Sequence, residues 1–171
     1  DGAAPGWQPG RPAGSRAHLQ SKVVKICGMG EPAVEEAVRD LIHSRNPTVA
    51  PLVAIGETHL RVTAKAERAD EARRLVEDMV ARITERLGPS IFGYDAETIA
   101  AAAGRRLRAR KLKLALAESL TGGLVGHLIT SVAGSSDYLE RGFVVYSNES
   151  KVELLGVPVE TLARHGAVSE E

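Results

Sequence analysis

The same three patterns follow one another in two stretches of the second half of the chain. They are a short apolar run, a polar turn and apolar residues at helical spacing. In the first stretch, LALA at 114–117 leads through ESLTGG into a helical pattern over 124–130. In the second, RGFVVY at 141–146 is followed by Ser147 and Asn148, which suit a helix N-terminus. Two successive strand-turn-helix units predict an open α/β sheet whose functional loops lie beyond the strand ends.

The first half of the chain has a different pattern, and its clearest element is a helix over 69–87. Apolar residues follow the 3.6-residue period there, and the other face is charged. The remaining predicted elements are a strand over 21–27, a helix from Pro32 to the Asn46-Pro47 stop, strands over 49–55 and 59–64, and a strand over 89–93. The order β-α-β-β-α-β predicts a compact α+β module over 21–94.

The two ends of the chain are predicted to lie outside complete domains. The first seventeen residues contain four Gly, three Pro and four Ala, which cannot bury apolar surface, so residues 1–20 are predicted to be a flexible tail. The second unit is predicted over 95–171, with Asp95 as the N-cap of its first helix. Its last three residues have the pattern of a helix start without a following helix, so this unit is expected to be incomplete.

The overall charge argues against a protein that coats nucleic acid. Twenty-two basic residues balance twenty-two acidic ones, and the pI is about 7.2. One basic run contains six cations in nine residues: Arg105, Arg106, Arg108, Arg110, Lys111 and Lys113. No aromatic residue is interleaved for base stacking, so the run is predicted to be an exposed helix end, and a nucleic-acid partner is not expected.

The sequence predicts neither a metal site nor a bound cofactor. Cys27 is the only cysteine, and the five histidines lie far apart without a metal-ligand spacing. No apolar run approaches the roughly 18–20 residues that span a bilayer, and a signal-peptide pattern is absent. We therefore expect a cytoplasmic protein without a membrane partner, and we expect it to form homo-oligomers.

Ser119 lies in the first strand-to-helix turn and is the leading candidate for a nucleophile. A serine at a strand end, with Gly122 and Gly123 opening the next helix, places a hydroxyl near backbone N–H groups and a positive dipole end. That arrangement serves an acyl-enzyme or a phosphate. The alternative is that Ser119 or Thr121 only caps the helix and that the glycines ease helix-sheet packing.

Lys151 lies three residues after Asn148, in the first turn of the second predicted helix. Both the helix dipole and burial would favour its neutral amine there, and a neutral lysine can act as general base toward a serine hydroxyl. Ser119, Lys151 and Tyr146 could thus form a Ser-Lys-Tyr hydrolytic centre. The alternative is a solvated lysine and a core tyrosine.

Several longer motifs resemble those of CinA-family proteins. The motifs AESLTGG (117–123), AGSSDYLERGFVVYSNESK (133–151) and LLGVPVETLARHGAVSEE (154–171) resemble the family's C-terminal domain, which is similar to nicotinamide-nucleotide amidohydrolase. GMGEPAVEEAVRDLI (28–42), NPTVAP (46–51), LRVTAKA (60–66) and IFGYD (91–95) resemble its KH-like middle domain. The implied fold is a small KH-like α+β module followed by a truncated α/β amidohydrolase domain.

The resemblance implies hydrolysis of the carboxamide of nicotinamide mononucleotide to the acid and ammonia, without a cofactor. The family's nucleophile, lysine and tyrosine correspond to Ser119, Lys151 and Tyr146. The implied substrate-binding residues, which include donors to the oxyanion, are Thr121, Gly122, Gly123, Ser147 and Asn148. The family motif has Cys where this chain has Leu120, and we expect only a packing difference from that change.

A different class of function stays open at this point. The KH-like order of elements and the basic run could belong to a non-catalytic RNA-binding or interaction module. However, GMG at 28–30 is not the GxxG clamp of an RNA-binding KH domain.

Overall fold

The computed structural model describes residues 17–170, and the chain divides into two units between Ala96 and Glu97. The predicted boundary lay two residues earlier. Most of the tail predicted over 1–20 lies outside the described residues. Its last three residues, 18–20, belong to the first strand, so the prediction is wrong there.

Over residues 17–96, the first unit contains four strands and three helices. The strands are β1 (His18–Ile26), β2 (Thr48–Ala54), β3 (Glu57–Ala66) and β4 (Ile91–Tyr94). The helices are α1 (Glu31–Ala37), α2 (Arg39–Ile42) and α3 (Ala69–Leu87). The sheet order is β2-β3-β1-β4, and all neighbours are antiparallel. This is the arrangement of the split β-α-β motif, and it confirms the predicted α+β module.

The core of this unit lies between the sheet and α3. Along β3, Leu60, Val62 and Ala64 are buried and the residues between them are not, as their alternation predicts. The apolar face of α3 covers them, and its buried residues are Ala72, Val76, Met79, Val80, Ile83 and Leu87. The helix predicted over 69–87 is thereby confirmed residue for residue.

The single helix predicted from Pro32 is instead two helices, because Val38 leaves helical geometry at φ −118° and ψ 19°. Val38 itself is buried in the core. The break turns α2 so that Asp40 pairs with Arg86 of α3, with one hydrogen bond of 2.9 Å between Arg86 Nη2 and Asp40 Oδ2. That hydrogen bond and the charge of Arg86, together with Arg82, lower the pKa of Asp40 to about 2, although burial opposes the shift.

Asp95 does not cap the next helix, as was predicted. It lies in the left-handed region at φ 50°, its carboxylate accepts from the amide of Val23 at 2.8 Å, and its own amide donates to the Val23 carbonyl at 2.9 Å. Thr98 is the cap instead, since its hydroxyl accepts from the amide of Ala101. Asp95 therefore ends the sheet of the first unit rather than starting the second.

The second unit alternates helices with two strands. Its elements are α4 (Ile99–Ala109), β5 (Leu114–Glu118), α5 (Leu124–Thr130), β6 (Leu139–Val144), α6 (Asn148–Leu155) and α7 (Val159–His165). The strands β5 and β6 are parallel, as expected of successive strand-turn-helix units. The fold class, mixed α/β with two sheets and seven helices within residues 17–170, is confirmed. Two details differ: β6 begins two residues before its predicted start, and in β5 only Glu118 is buried.

Tyr138 is the centre of the small core in this unit. Its side chain is fully buried beside Ala100 and Ile129. It packs so closely on α4 that a Cβ at Gly104 would lie 2.5 Å from its hydroxyl oxygen and 2.7 Å from Cζ. Within residues 17–170 this hydroxyl has no hydrogen-bond partner. Gly104 is thus needed to make room for the Tyr138 ring, and helical geometry itself does not require a glycine there.

Part of the basic run serves the structure of the second unit. Arg105 pairs with Glu97, and Arg108 donates to the carbonyl of Ala133 at 3.0 Å and lies 5.4 Å from the centre of the Tyr138 ring. Lys113 donates to the carbonyl of Asp137 at 2.9 Å. The run was predicted to be an exposed helix end, and three of its six cations are in addition bound within the chain.

Candidate active site

Ser119 and Lys151 lie together at the ends of the two parallel strands. Ser119 follows β5 directly, and Lys151 lies in the first turns of α6, whose N-terminus is capped by Ser147 Oγ accepting from the Ser150 amide at 3.1 Å. The Nζ atom of Lys151 is 3.3 Å from Ser119 Oγ. The two predicted residues, 32 positions apart in sequence, are thus brought within hydrogen-bond distance.

Lys151 is buried, at 8% exposure, and the alternative of a solvated lysine is wrong. Besides Ser119 Oγ, its Nζ reaches the carbonyl oxygens of Val145 and Tyr146, each at 2.8 Å. A neutral amine has two N–H groups and one lone pair. In a neutral Lys151 amine the two carbonyls would accept the two N–H groups and the lone pair would face the serine hydroxyl, whereas an ammonium would donate to all three oxygens. This geometry is the one a general base toward Ser119 requires.

The residue before the nucleophile, Glu118, is buried as well, at 7% exposure. Its Oε2 accepts from Thr121 Oγ1 at 2.8 Å and from the amide of Val125 at 2.9 Å, and its Oε1 accepts from the amide of Gly126 at 2.8 Å. Burial alone would raise the pKa of this carboxyl, but these hydrogen bonds, with one from the Gly123 amide, outweigh burial and lower it.

The sequence reasoning gave Glu118 no role. The signal was present, because an acidic residue stood at the end of an apolar strand, directly before a candidate nucleophile. What no pattern could show is that its side chain turns back onto the first turn of α5. The carboxylate occupies the position where a substrate phosphate or an oxyanion was expected at this helix end.

The predicted donors of the turn are engaged within the chain. The amide of Gly122 donates to the carbonyl of Ser119 at 3.1 Å, and the Thr121 hydroxyl is bound to Glu118. Gly122 and Gly123 have φ of +60° and +96°, so both glycines allow the turn itself. In this structure, then, the side chain of Thr121 and the amide of Gly122 shape the loop instead of pointing to a substrate.

The other predicted site residues occupy different positions. The side chain of Tyr146 is 75% exposed, so it is not a core tyrosine, and its hydroxyl makes no hydrogen bond with Ser119 or Lys151. What Tyr146 contributes is its carbonyl. Ser147 caps α6, and Asn148 lines a separate groove between α6 and α7.

A cavity of about 260 Å³ opens beside Ser119 and Lys151. Its apolar lining comes mainly from Val145, Leu155, Val157 and Leu162, and Gly166, Ala167 and Ser169 also line it. Among the described residues, the ionisable side chains of this lining are Lys151 and Glu118, and arginine is absent from it. One basic and one acidic side chain give this lining no excess of positive charge that would favour an anionic group next to the serine hydroxyl. Across residues 17–170, three or more His, Cys, Asp or Glu side chains nowhere gather as a metal site would need.

The described part of the chain also has no helix of the length and hydropathy that crossing a membrane requires.

Comparison with known proteins connects both units to one family. Residues 21–93 match the model of the damage-inducible protein CinA KH domain, and residues 96–171 match the model of the CinA C-terminal domain. A competence-damage inducible protein of Moorella thermoacetica is 53% identical over 161 residues, which are 94% of this chain and 39% of the relative. One of Symbiobacterium thermophilum is 44% identical over 94% of this chain and 38% of the relative.

Solved structures of similar proteins give a shorter match. The competence/damage inducible protein CihA of Agrobacterium tumefaciens is 44% identical, with a TM-score of 0.40, over 41% of this chain and 42% of that chain. A CinA superfamily protein of Escherichia coli is 34% identical, with a TM-score of 0.41, over 42% and 41%. The chain spans about two fifths of the length of the curated relatives it matches. Since the two family models follow one another in the same chain, it belongs to the CinA family.

Proposed function

We propose that the second unit carries the nucleophile and the base of an amidohydrolase that releases ammonia from the carboxamide of nicotinamide mononucleotide. The observation that carries the proposal is the buried Lys151 amine, held by two carbonyls with its remaining valence toward Ser119 Oγ at 3.3 Å. The family resemblance supplies the substrate. The ionisable residues of the cavity lining are one lysine, Lys151, and one glutamate, Glu118, and a lining without arginine suits a carboxamide better than a phosphate.

The proposed reaction has two steps. Ser119 Oγ attacks the carboxamide carbon while Lys151 takes the hydroxyl proton, and the C–N bond then breaks as that proton passes to the leaving nitrogen, giving ammonia and an acyl-serine. Water, deprotonated by Lys151, attacks the ester and releases the acid and the free serine. Within residues 17–170 the amides of Leu120 and Thr121 donate no hydrogen bond, and we assign them to the oxyanion.

Ammonia release from nicotinamide mononucleotide tests this proposal. The Ser119→Ala variant should lose at least about a hundredfold in rate, since the acyl intermediate cannot form. Ser131→Ala is the matched control, because Ser131 is an exposed serine at the far end of α5 whose hydroxyl only donates to the Leu128 carbonyl. Equal rates of ammonia release in the wild type and Ser119→Ala would refute the assignment of Ser119 as the nucleophile.

A nucleic-acid function is not proposed as a second candidate. Half of the basic run is bound within the chain, at Arg105, Arg108 and Lys113. No aromatic residue accompanies it for base stacking.

A further inference from the structure

Glu118 is a buried ionisable residue for which the proposed reaction has no use. Burying a carboxylate costs free energy unless hydrogen bonds compensate, and here the compensation is concentrated on one loop. The donors include Thr121, Val125 and Gly126, which lie three, seven and eight residues after Glu118. One side chain thus fastens the start of the nucleophile loop to the first turn of the helix that follows it.

The close approach of α5 to this carboxylate depends on a glycine. A Cβ at Gly126 would lie 3.3 Å from Glu118 Oε1, closer than most side-chain contacts, so the absence of a side chain there lets the Gly126 amide reach the carboxylate. Because α5 has only seven residues, its own hydrogen bonds cannot hold its position. The carboxylate therefore fixes where the helix begins.

The backbone of Glu118 is connected to the base. Its carbonyl accepts from the amide of Val145 at 2.7 Å, and the carbonyl of Val145 accepts from Lys151 Nζ at 2.8 Å. Ser119 is the next residue along the chain. Glu118 thus touches the element that carries the nucleophile and the segment that holds the base, and it touches neither reacting atom.

We propose that Glu118 is a positioning residue, whose carboxylate holds Ser119 at hydrogen-bonding distance from Lys151 by fastening the 119–123 loop to α5. The inference rests on the proposed role of Ser119 as a nucleophile. A carboxylate is required because both of its oxygens accept from N–H or O–H donors. The amide of glutamine would turn an NH₂ group toward one of those donors.

The experiment compares Glu118→Gln with Glu140→Gln, which alters an exposed glutamate of β6. Labelling of Ser119 by a sulfonyl fluoride is followed by mass spectrometry, with Ser119→Ala as the blank. The rate is divided by the folded fraction from circular dichroism. Glu118→Gln should lower this rate at least about tenfold, because small displacements of a reacting group carry large rate penalties, whereas Glu140→Gln should leave it within about twofold.

A second arm tests whether an anion restores the geometry. In Glu118→Ala, added formate should recover part of the labelling rate and equal chloride should not, because only formate offers two oxygen acceptors to the vacated amides. A merely structural role would lower the melting temperature but leave the rate per folded molecule unchanged, and that result would overturn the proposal. Absence of labelling in the wild type would overturn both the nucleophile and the positioning role.

A wrong substrate gives a different experimental result from a wrong positioning role. Suppose that Ser119 is labelled in the wild type, that its labelling is slower in Glu118→Gln, and that nicotinamide mononucleotide releases no ammonia. The proposed substrate is then wrong, and the positioning role of Glu118 stands.

Discussion

At the scale of single residues, the decisive feature is how the donors of Lys151 are satisfied. A buried amine is tolerated only where its N–H groups find acceptors, and the carbonyls of Val145 and Tyr146 supply them at 2.8 Å. Those carbonyls belong to the segment between β6 and α6. The same backbone that ends the strand therefore orients the amine toward Ser119.

Replacing this amine should separate chemistry from binding. Lys151→Met keeps a similar length without the base, so acylation should slow by about 10²–10⁴-fold while substrate affinity changes little. Two carbonyls lose their donor, and stability should fall by about 1–3 kcal/mol. Single-turnover kinetics and thermal melting measure the two effects.

The control is Lys65→Met, which alters an exposed lysine of β3. If Lys151→Met instead weakens substrate binding and leaves the intrinsic rate unchanged, then the lysine anchors a substrate anion and is not the base.

At the scale of elements, the contact between α4 and Tyr138 shows how little room the second core has. Gly104→Ala would gain about 0.5–1 kcal/mol of helix propensity, but overpacking against a fully buried ring costs about 1–3 kcal/mol. A net loss of stability is therefore expected. Tyr138→Phe removes a hydroxyl without a partner among the described residues, and it should be neutral or stabilising by up to about 1 kcal/mol.

Urea unfolding of the two variants checks this pair of predictions. A Gly104→Ala chain as stable as the wild type would show that the ring can move. A large destabilisation by Tyr138→Phe would show that the hydroxyl is bound after all.

The contact between α2 and α3 should respond to acid. Because the pKa of Asp40 is about 2 in the folded chain, below its ordinary value of 3.8, its contribution is present above pH 3.8 and is lost as the pH falls toward 2. Asp40→Asn should reduce stability at neutral pH and flatten the acid branch of the stability curve. Both residues are partly exposed, so the effect should be small.

A double-variant cycle with Arg86→Gln isolates this pair. Asp40→Asn should change the melting temperature less in the Arg86→Gln background than in the wild type. Identical changes in both backgrounds would contradict the pairing.

The elements that sequence patterns predicted well are those whose own periodicity carries the signal. Helix α3 and the alternation in β3 belong to this class, as does the pairing of Ser119 with Lys151, because both residues follow the ends of recognisable strands. The break at Val38, the cap at Thr98 and the inward turn of Glu118 were not predictable. Each depends on a specific side-chain contact that periodicity does not encode, such as Asp40 with Arg86 for α2 or Glu118 with the amide of Val125.

At the scale of the whole molecule, the two units have cores of different size. Among the described residues, the buried cluster of the first unit has fifteen members, and that of the second has Ala100, Ile129 and Tyr138. Since burial of apolar surface is the main stabilising contribution to folding, the second unit should unfold at the lower free energy.

Hydrogen exchange measured peptide by peptide tests this order. Amides of β1 and β3 should be more strongly protected against exchange than those of β5 and β6, because β5 and β6 are less buried. Leu41→Ala, at a fully buried site in the first unit, should lower protection of β1 and β3 by about 2–5 kcal/mol. Equal protection of both units in the wild type would contradict the difference between their cores.

The contact of Gly104 with Tyr138 also bears on how this sequence can change over generations. A Cβ at 104 would lie within 3 Å of the Tyr138 ring and hydroxyl, so we expect replacement of Tyr138 by a smaller residue to come first. Substitutions at these two positions are therefore expected in one order, first at 138 and then at 104. Relatives that carry a larger residue at 104 should be those in which the aromatic ring at 138 has already been replaced.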